Sequence, residues 1–156
     1  MRLKTFTAAA TVLALALGLG HILANEVHGR AAVEAAFVSP QHLADTLAAK
    51  SGPKPMLIHV GFELLYREAH IPGSIYAGPG REARGLARLE AALKGVPKDR
   101  PILLYCGCCP WSHCPNVVPA FDRIHALGYK NVQVLKMPHD FGTDWLDAGY
   151  PTVQGR

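Results

Sequence analysis

The stretch ILLYCGCCPWSHCPNVVPAFDRIHAL, residues 102–127, decides how this chain folds and contains all four of its cysteines. Ile102, Leu103, Leu104 and Tyr105 follow Pro101 without a polar break, the pattern of a strand buried on both faces. Over residues 116–127, Val117, Phe121, Ile124 and Leu127 recur at helical spacing, and Gly128 supplies a left-handed stop. Between strand and helix lies CGCCPWSHC, residues 106–114.

Outward from this unit the same alternation repeats. Ser39 before Pro40 starts a helix whose inner face is Leu43, Ala44, Leu47 and Ala48. MLIHV, residues 56–60, reads as a strand, and residues 74–76 as a second short one. Leu86, Leu89 and Leu93 stripe a helix over residues 82–94, closed by Gly95 and Pro97. Residues 132–135 form the last strand and residues 143–148 a short closing helix before Gly149. Strands alternating with helices predict an α/β domain.

The chain is 156 residues long, 49% hydrophobic and 18% charged. That suits one domain whose core closes without a metal or disulfides, so the clustered cysteines need a chemical reason. Of the 16 Lys and Arg, Arg2 and Lys4 precede residue 25, which leaves the remainder nearly balanced against 12 Asp and Glu. Without a basic block, nucleic acid is not an expected partner. The apolar fraction also excludes a disordered chain.

Residues 5–24 carry no Asp, Glu, Lys or Arg and centre on TVLALALGLG. Behind Arg2 and Lys4 this run reads as an export signal cleaved after Ala24 or, uncleaved, as a membrane anchor. A membrane is a partner only through this segment. Residues 25–36 follow as a polar linker, and residues 37–156 as the domain. Either form of the leader puts the domain outside the cytoplasm, in a periplasmic type of compartment where disulfides persist.

In an open α/β sheet, ligands bind beyond the carboxyl ends of the strands. A strand, a loop and a helix start in that order also aim backbone amides and a helix dipole into the loop. Cys106, directly after the strand, is expected to face those amides, which favour the nucleophilic thiolate. The spacing C-x-C-C-x4-C leaves two alternatives open. Cys106, Cys108, Cys109 and Cys114 form a soft ligand set for copper or zinc, or a group of thiols that cycles through disulfides.

Gly107, Trp111, Ser112 and His113 complete the loop, with His113 offering a cation or a proton and Trp111 a wall for the pocket. Pro110 and Pro115 stiffen its ends. His139 and Asp140 follow the last strand and are candidates to approach the loop from there. His59, ending its own strand, reads as a satisfied core histidine.

IHVGFELLYREAHIPGSIYAG, residues 58–78, resembles the first half of a rhodanese-like domain, and His70, Ile71, Pro72 and Gly73 match that family's HIPG turn. ILLYC is similar to the family's strand leading into the active-site cysteine. GYKNVQVLKMPHDFGTDWLDAGYPTV, residues 128–153, resembles its closing strand and helix, including Trp145, Gly149, Tyr150 and Pro151. Three ordered matches thus cover residues 37–153. The resemblance implies a small sheet of about five mostly parallel strands with helices on both faces. It also implies a sulfurtransferase in which Cys106 carries sulfane sulfur as a persulfide, with no cofactor. A small sulfur donor and a thiol acceptor are then the partners, and His70 is a turn residue.

Two departures from the family pattern bear on function. His59, Val60, Gly61 and Phe62 stand where the family has VDxR, which removes a structural ion pair. The loop between Cys106 and Asn116 is longer than the family's six-residue arc and has no Arg or Lys, so its pocket is less cationic and poorly suited to dianionic thiosulfate. A phosphatase on this fold needs an arginine six positions after the cysteine to clamp phosphate. Position 112 is Ser. Three functions follow in order of preference: sulfur transfer through Cys106, a thiol-redox or soft-metal module, and a non-catalytic rhodanese-like interaction domain whose extra cysteines are held as disulfides.

Overall fold

The computed structural model describes residues 29–155, and its compact unit runs from Val33 onward. The expected leader at residues 1–24 lies outside the described residues. Among those described, no helix is long and apolar enough to cross a membrane.

The strands are β1 (Phe37–Val38), β2 (Met56–His59), β3 (Ile75–Tyr76), β4 (Ile102–Tyr105) and β5 (Val132–Leu135). The α-helices among them are α1 (Pro40–Ala48), α2 (Glu63–Glu68), α3 (Ala83–Ala92) and α4 (Val117–Ala126). A 3-10 turn (Trp111–His113) precedes α4, and a π-helical turn (Gly142–Leu146) follows β5. The five strands form one sheet in the order β1-β5-β4-β2-β3, and every pair is parallel.

The α/β architecture expected from the sequence is therefore present, with three local differences. β1, where Phe37 pairs with Val134, has only two residues, too few for an alternation to be legible. Residues 29–35, expected as linker, are helical, because Val33 finds a fully buried place in the core. The closing helix is the π-helical turn, whose Trp145 is fully buried.

All four side chains of β4 are buried, and their alternation assigns them to two cores. Ile102, Leu104 and Cys106 pack with Ile58, Val60 and Val134 under α3 and α4, against Leu89, Val117, Phe121 and Ile124. Leu103 and Tyr105 point the other way, toward Leu57, Leu43 of α1 and Trp145. Successive strand residues face opposite sides of a sheet, so the residue after Tyr105 emerges on the α4 side. α1 starts as read: Ser39 Oγ accepts from the His42 amide at 3.2 Å, with Pro40 in the first turn.

Tyr105 ties the HIPG turn to the central strand. Its buried hydroxyl accepts from the Ile71 amide at 3.2 Å and shares a 2.7 Å bond with Ser74 Oγ. Tyr66 Oη donates to the Ser74 carbonyl at 2.6 Å, and its ring stacks on His70 at 3.9 Å. The His70 amide and carbonyl pair with Val153 at 3.0 Å each, which pins the C-terminal strap to the same turn. His59, 2% exposed, lies among Tyr105, Tyr66 and Tyr76 at ring separations of 5.0, 5.4 and 6.0 Å. Burial pulls its pKa down to about 4 against an opposing hydrogen bond with the Cys106 backbone, so the ring is neutral at pH 7.

Two stability measurements check this description. Tyr105→Phe leaves the Ile71 amide and the Ser74 hydroxyl without their partner, and should lower the unfolding free energy by about 1–3 kcal/mol with an unchanged denaturant slope. His59 binds its proton more weakly folded than unfolded, so its contribution is complete above pH 6.5 and is lost as pH falls from there toward 4. Between pH 7 and pH 4.5 that amounts to about 2–3 kcal/mol. His59→Gln should flatten the acid limb of the stability profile by that much; an equally steep limb in the variant would contradict a buried neutral His59.

Candidate active site

Beyond β4 the chain reverses at Gly107, whose φ of +78° suits glycine. A Cβ there would lie 2.7 Å from Cβ of Phe141, and the Phe141 amide donates to the Gly107 carbonyl at 3.0 Å. The reversal folds Cys108 back over Cys106, with the two Sγ atoms 3.3 Å apart. Cys108 and Cys109 sulfurs are likewise 3.3 Å apart. The 3-10 turn is then anchored away from the thiols. Its Trp111 amide donates to the Met137 carbonyl at 2.9 Å, and the Trp111 ring meets Phe37 edge-on at 4.7 Å.

Through that turn Cys114 returns to the group. The sulfurs of Cys106, Cys108 and Cys114 all lie within 4.8 Å of one another, Cys106 and Cys114 buried and Cys108 half-buried. Cys109 touches this trio through Cys108, and all four are free thiols. Ser112 and His113 sit on the exposed side of the loop, with Ser112 Oγ 3.0 Å from His113 Nδ1. His139 is exposed and pairs with Asp144, its amide donating at 2.7 Å and its Nδ1 lying at 2.9 Å. Asp140 accepts from the Thr143 amide at 2.7 Å and also borders the cavity described below.

Asn116 is a site residue that sequence reasoning missed. It is fully buried, its Nδ2 donates to Cys106 Sγ at 3.5 Å, and its Oδ1 accepts from the Arg81 amide at 3.3 Å. The second bond orients the first, since an amide held by its oxygen presents its nitrogen to the opposite side. Gly80 permits this approach: a Cβ on it would stand 2.1 Å from the Asn116 carbonyl oxygen. An asparagine before a helix reads as a cap from sequence, yet this side chain makes no capping bond.

The charge sits differently from expectation. Cys114 lies just before α4, beside the Asn116 and Val117 backbone. Hydrogen bonds from Cys106 and Cys108, and with that backbone, draw the Cys114 thiol down to about 3 against its burial. For Cys106 the bond with Cys108 lowers the pKa, but the bond with Cys114 and burial outweigh it and hold the thiol up at about 12. Cys108 is pushed up by its bonds with Cys106 and Cys114 and by burial, and Cys109 up to about 12, chiefly by burial. Close packing thus disfavours more than one charge in the trio, and the Cys114 thiol is the one drawn below the ordinary thiol range.

A cavity of about 320 Å³ opens at the carboxyl edge of the sheet, with Cys106, Gly107 and Cys108 on one side. Leu65, Ala69, Phe141 and Leu146 supply apolar walls, His59 a neutral ring, and Glu68 and Asp140 two carboxylates. No Lys or Arg lines it. A wider depression of about 850 Å³ beside α2, bordered by Glu63, Arg67 and Gln154, contains none of the thiols. The smaller cavity is the candidate site, because Cys106 and Cys108 line it.

Comparison with known proteins agrees with this fold. The rhodanese-like domain model matches residues 40–137. The Alr3790 protein from Anabaena sp. has a similar structure, with 20% identity, a TM-score of 0.57, and coverage of 75% of this chain and 82% of that one. The BH2092 protein from Bacillus halodurans is similar at 20% identity and a TM-score of 0.59, covering 83% of this chain and 85% of its own. A search of curated proteins returns no match. By its sequence match over more than half its length, and by its five-stranded parallel sheet, the chain belongs to the rhodanese-like domain family.

Proposed function

We propose that the protein is a sulfurtransferase that carries sulfane sulfur as a persulfide on Cys106. The observation that carries this reading is the placement of Cys106: at the carboxyl end of the central strand, on the cavity wall, with the Asn116 amide aimed at its sulfur. In the donor step the Cys106 sulfur attacks the outer sulfur of the donor, and the displaced donor thiolate takes up the Cys106 proton and leaves as a thiol. Asn116 Nδ2 then supports the sulfur anion at position 106. In the acceptor step an incoming thiolate attacks the terminal sulfur, and Cys106 departs as the leaving group.

Apolar walls, two carboxylates and the lack of a lining cation favour an uncharged or thiol-bound sulfane donor over a dianion such as thiosulfate. The charge-free run at residues 5–24 supports the further proposal that the domain works outside the cytoplasm.

A second reading has one specific observation in its favour. Three sulfurs within 4.8 Å of one another form a compact, largely buried donor set that fits a thiophilic ion, copper(I) or zinc, held by Cys106, Cys108 and Cys114. Such an ion would block the nucleophile. On this reading the protein binds one equivalent of copper(I) against a competing chelator, and Ser at position 106, 108 or 114 weakens binding at least about tenfold. Unchanged affinity in all three variants would exclude it.

Sulfur transfer is tested with the full-length protein, an organic persulfide donor and a small thiol acceptor. Cys106→Ser should reduce transfer to background. Asn116→Ala should cost about tenfold in the rate of the donor step, since one hydrogen bond to a sulfur anion contributes about 1–2 kcal/mol. Transfer by the Cys106→Ser protein at the native rate would refute the assignment.

A further inference from the structure

Resting on that assignment of Cys106 as carrier, we propose that Cys114 resolves the Cys106 persulfide internally, which releases hydrosulfide and makes the protein a thiol-dependent reductase of sulfane sulfur. The step is a displacement at the inner sulfur. Cys106 Sγ–SH and Cys114 Sγ⁻ give a Cys106–Cys114 disulfide and HS⁻. One sulfur–sulfur bond forms as another breaks, the terminal sulfur leaves reduced as hydrosulfide, and the two cysteine sulfurs are oxidised together. An external dithiol then reduces the disulfide and returns both thiols, so each turnover consumes one dithiol and one sulfane sulfur.

The two neighbours of Cys106 differ in exposure. Cys106 and Cys108 both line the 320 Å³ cavity, whereas Cys114 does not. Cys114 is buried among Val117, Phe121 and the β4 side chains, yet its sulfur remains within 4.8 Å of Cys106 Sγ. The three sulfurs form a compact triangle, so either neighbour can reach the inner sulfur of a Cys106 persulfide. Chain separation decides between them: a Cys106–Cys108 bond would close the small strained ring of a C-x-C disulfide, whereas Cys114 lies eight positions away and closes without that strain.

The chain path permits the bond. Cys106 follows β4 and Cys114 leads into α4, eight positions apart, so the bond closes a loop rather than a strained short ring. Both are free thiols, and their sulfurs lie within 4.8 Å of each other.

The test charges reduced full-length protein with inorganic polysulfide, removes the excess rapidly, and follows intact mass, released sulfide and the cysteine linkage by peptide mapping. Wild type should lose the added sulfur as about one equivalent of sulfide, finish about 2 Da lighter than the reduced protein, and show a Cys106–Cys114 linkage. Cys114→Ser should hold a persulfide on Cys106, about 32 Da heavier, with sulfide release slowed at least about tenfold. The wild-type linkage needs no variant, so a Cys114→Ser protein that misfolds leaves the test intact. A wild type that keeps its persulfide with Cys114 still alkylatable, or that links Cys106 to Cys108, overturns the resolving role and leaves the carrier assignment standing. If neither protein takes sulfur onto Cys106, both are overturned.

Discussion

Everything at this site depends on the burial of β4. With Ile102, Leu103, Leu104 and Tyr105 packed on both faces, the strand cannot rotate or slip by one residue without driving a set of apolar side chains into the wrong core. That constraint carries Cys106 to the α4 face and holds its backbone in place. Tyr105, one residue earlier, is held on the opposite face by the Ile71 amide and Ser74. Cys106 is thus the first residue past a strand buried on both faces, and the loop turns away only at Gly107.

From there, packing and charge act together. Gly107 turns the chain against Phe141, the 3-10 turn fastens to Met137 and Phe37, and Cys114 comes back beneath Cys106. Three thiols crowded in a partly dry space cannot all ionise, because each added charge would be buried beside another. A single thiolate is the arrangement this crowding favours, with the Cys114 thiol drawn down. The cavity beside it has apolar walls and two carboxylates.

Much of this was legible in the sequence, and for physical reasons. ILLY announces a doubly buried strand because every position is apolar, and HIPG announces its turn because Pro72 and Gly73 restrict and release the backbone at adjacent positions. β1 was not legible, since two residues carry no period and its pairing with β5 is set by tertiary packing. Nor was Asn116. Its role depends on Gly80 approaching its carbonyl from 36 positions upstream and on the Arg81 amide turning its side chain, contacts that no local pattern records. The pull on Cys114 was not legible either, because it depends on the folded loop bringing that thiol beside Cys106 and Cys108 at the start of α4.

The central claim is that sulfur enters this protein at Cys106. The most direct measurement is rapid-quench alkylation of the reduced full-length protein after mixing with a sulfane donor, with each cysteine-containing peptide quantified over time. The account predicts that alkylated persulfide appears first at position 106, ahead of any at Cys108, Cys109 or Cys114. First appearance at Cys108 or Cys109, with Cys106 lagging, would contradict it.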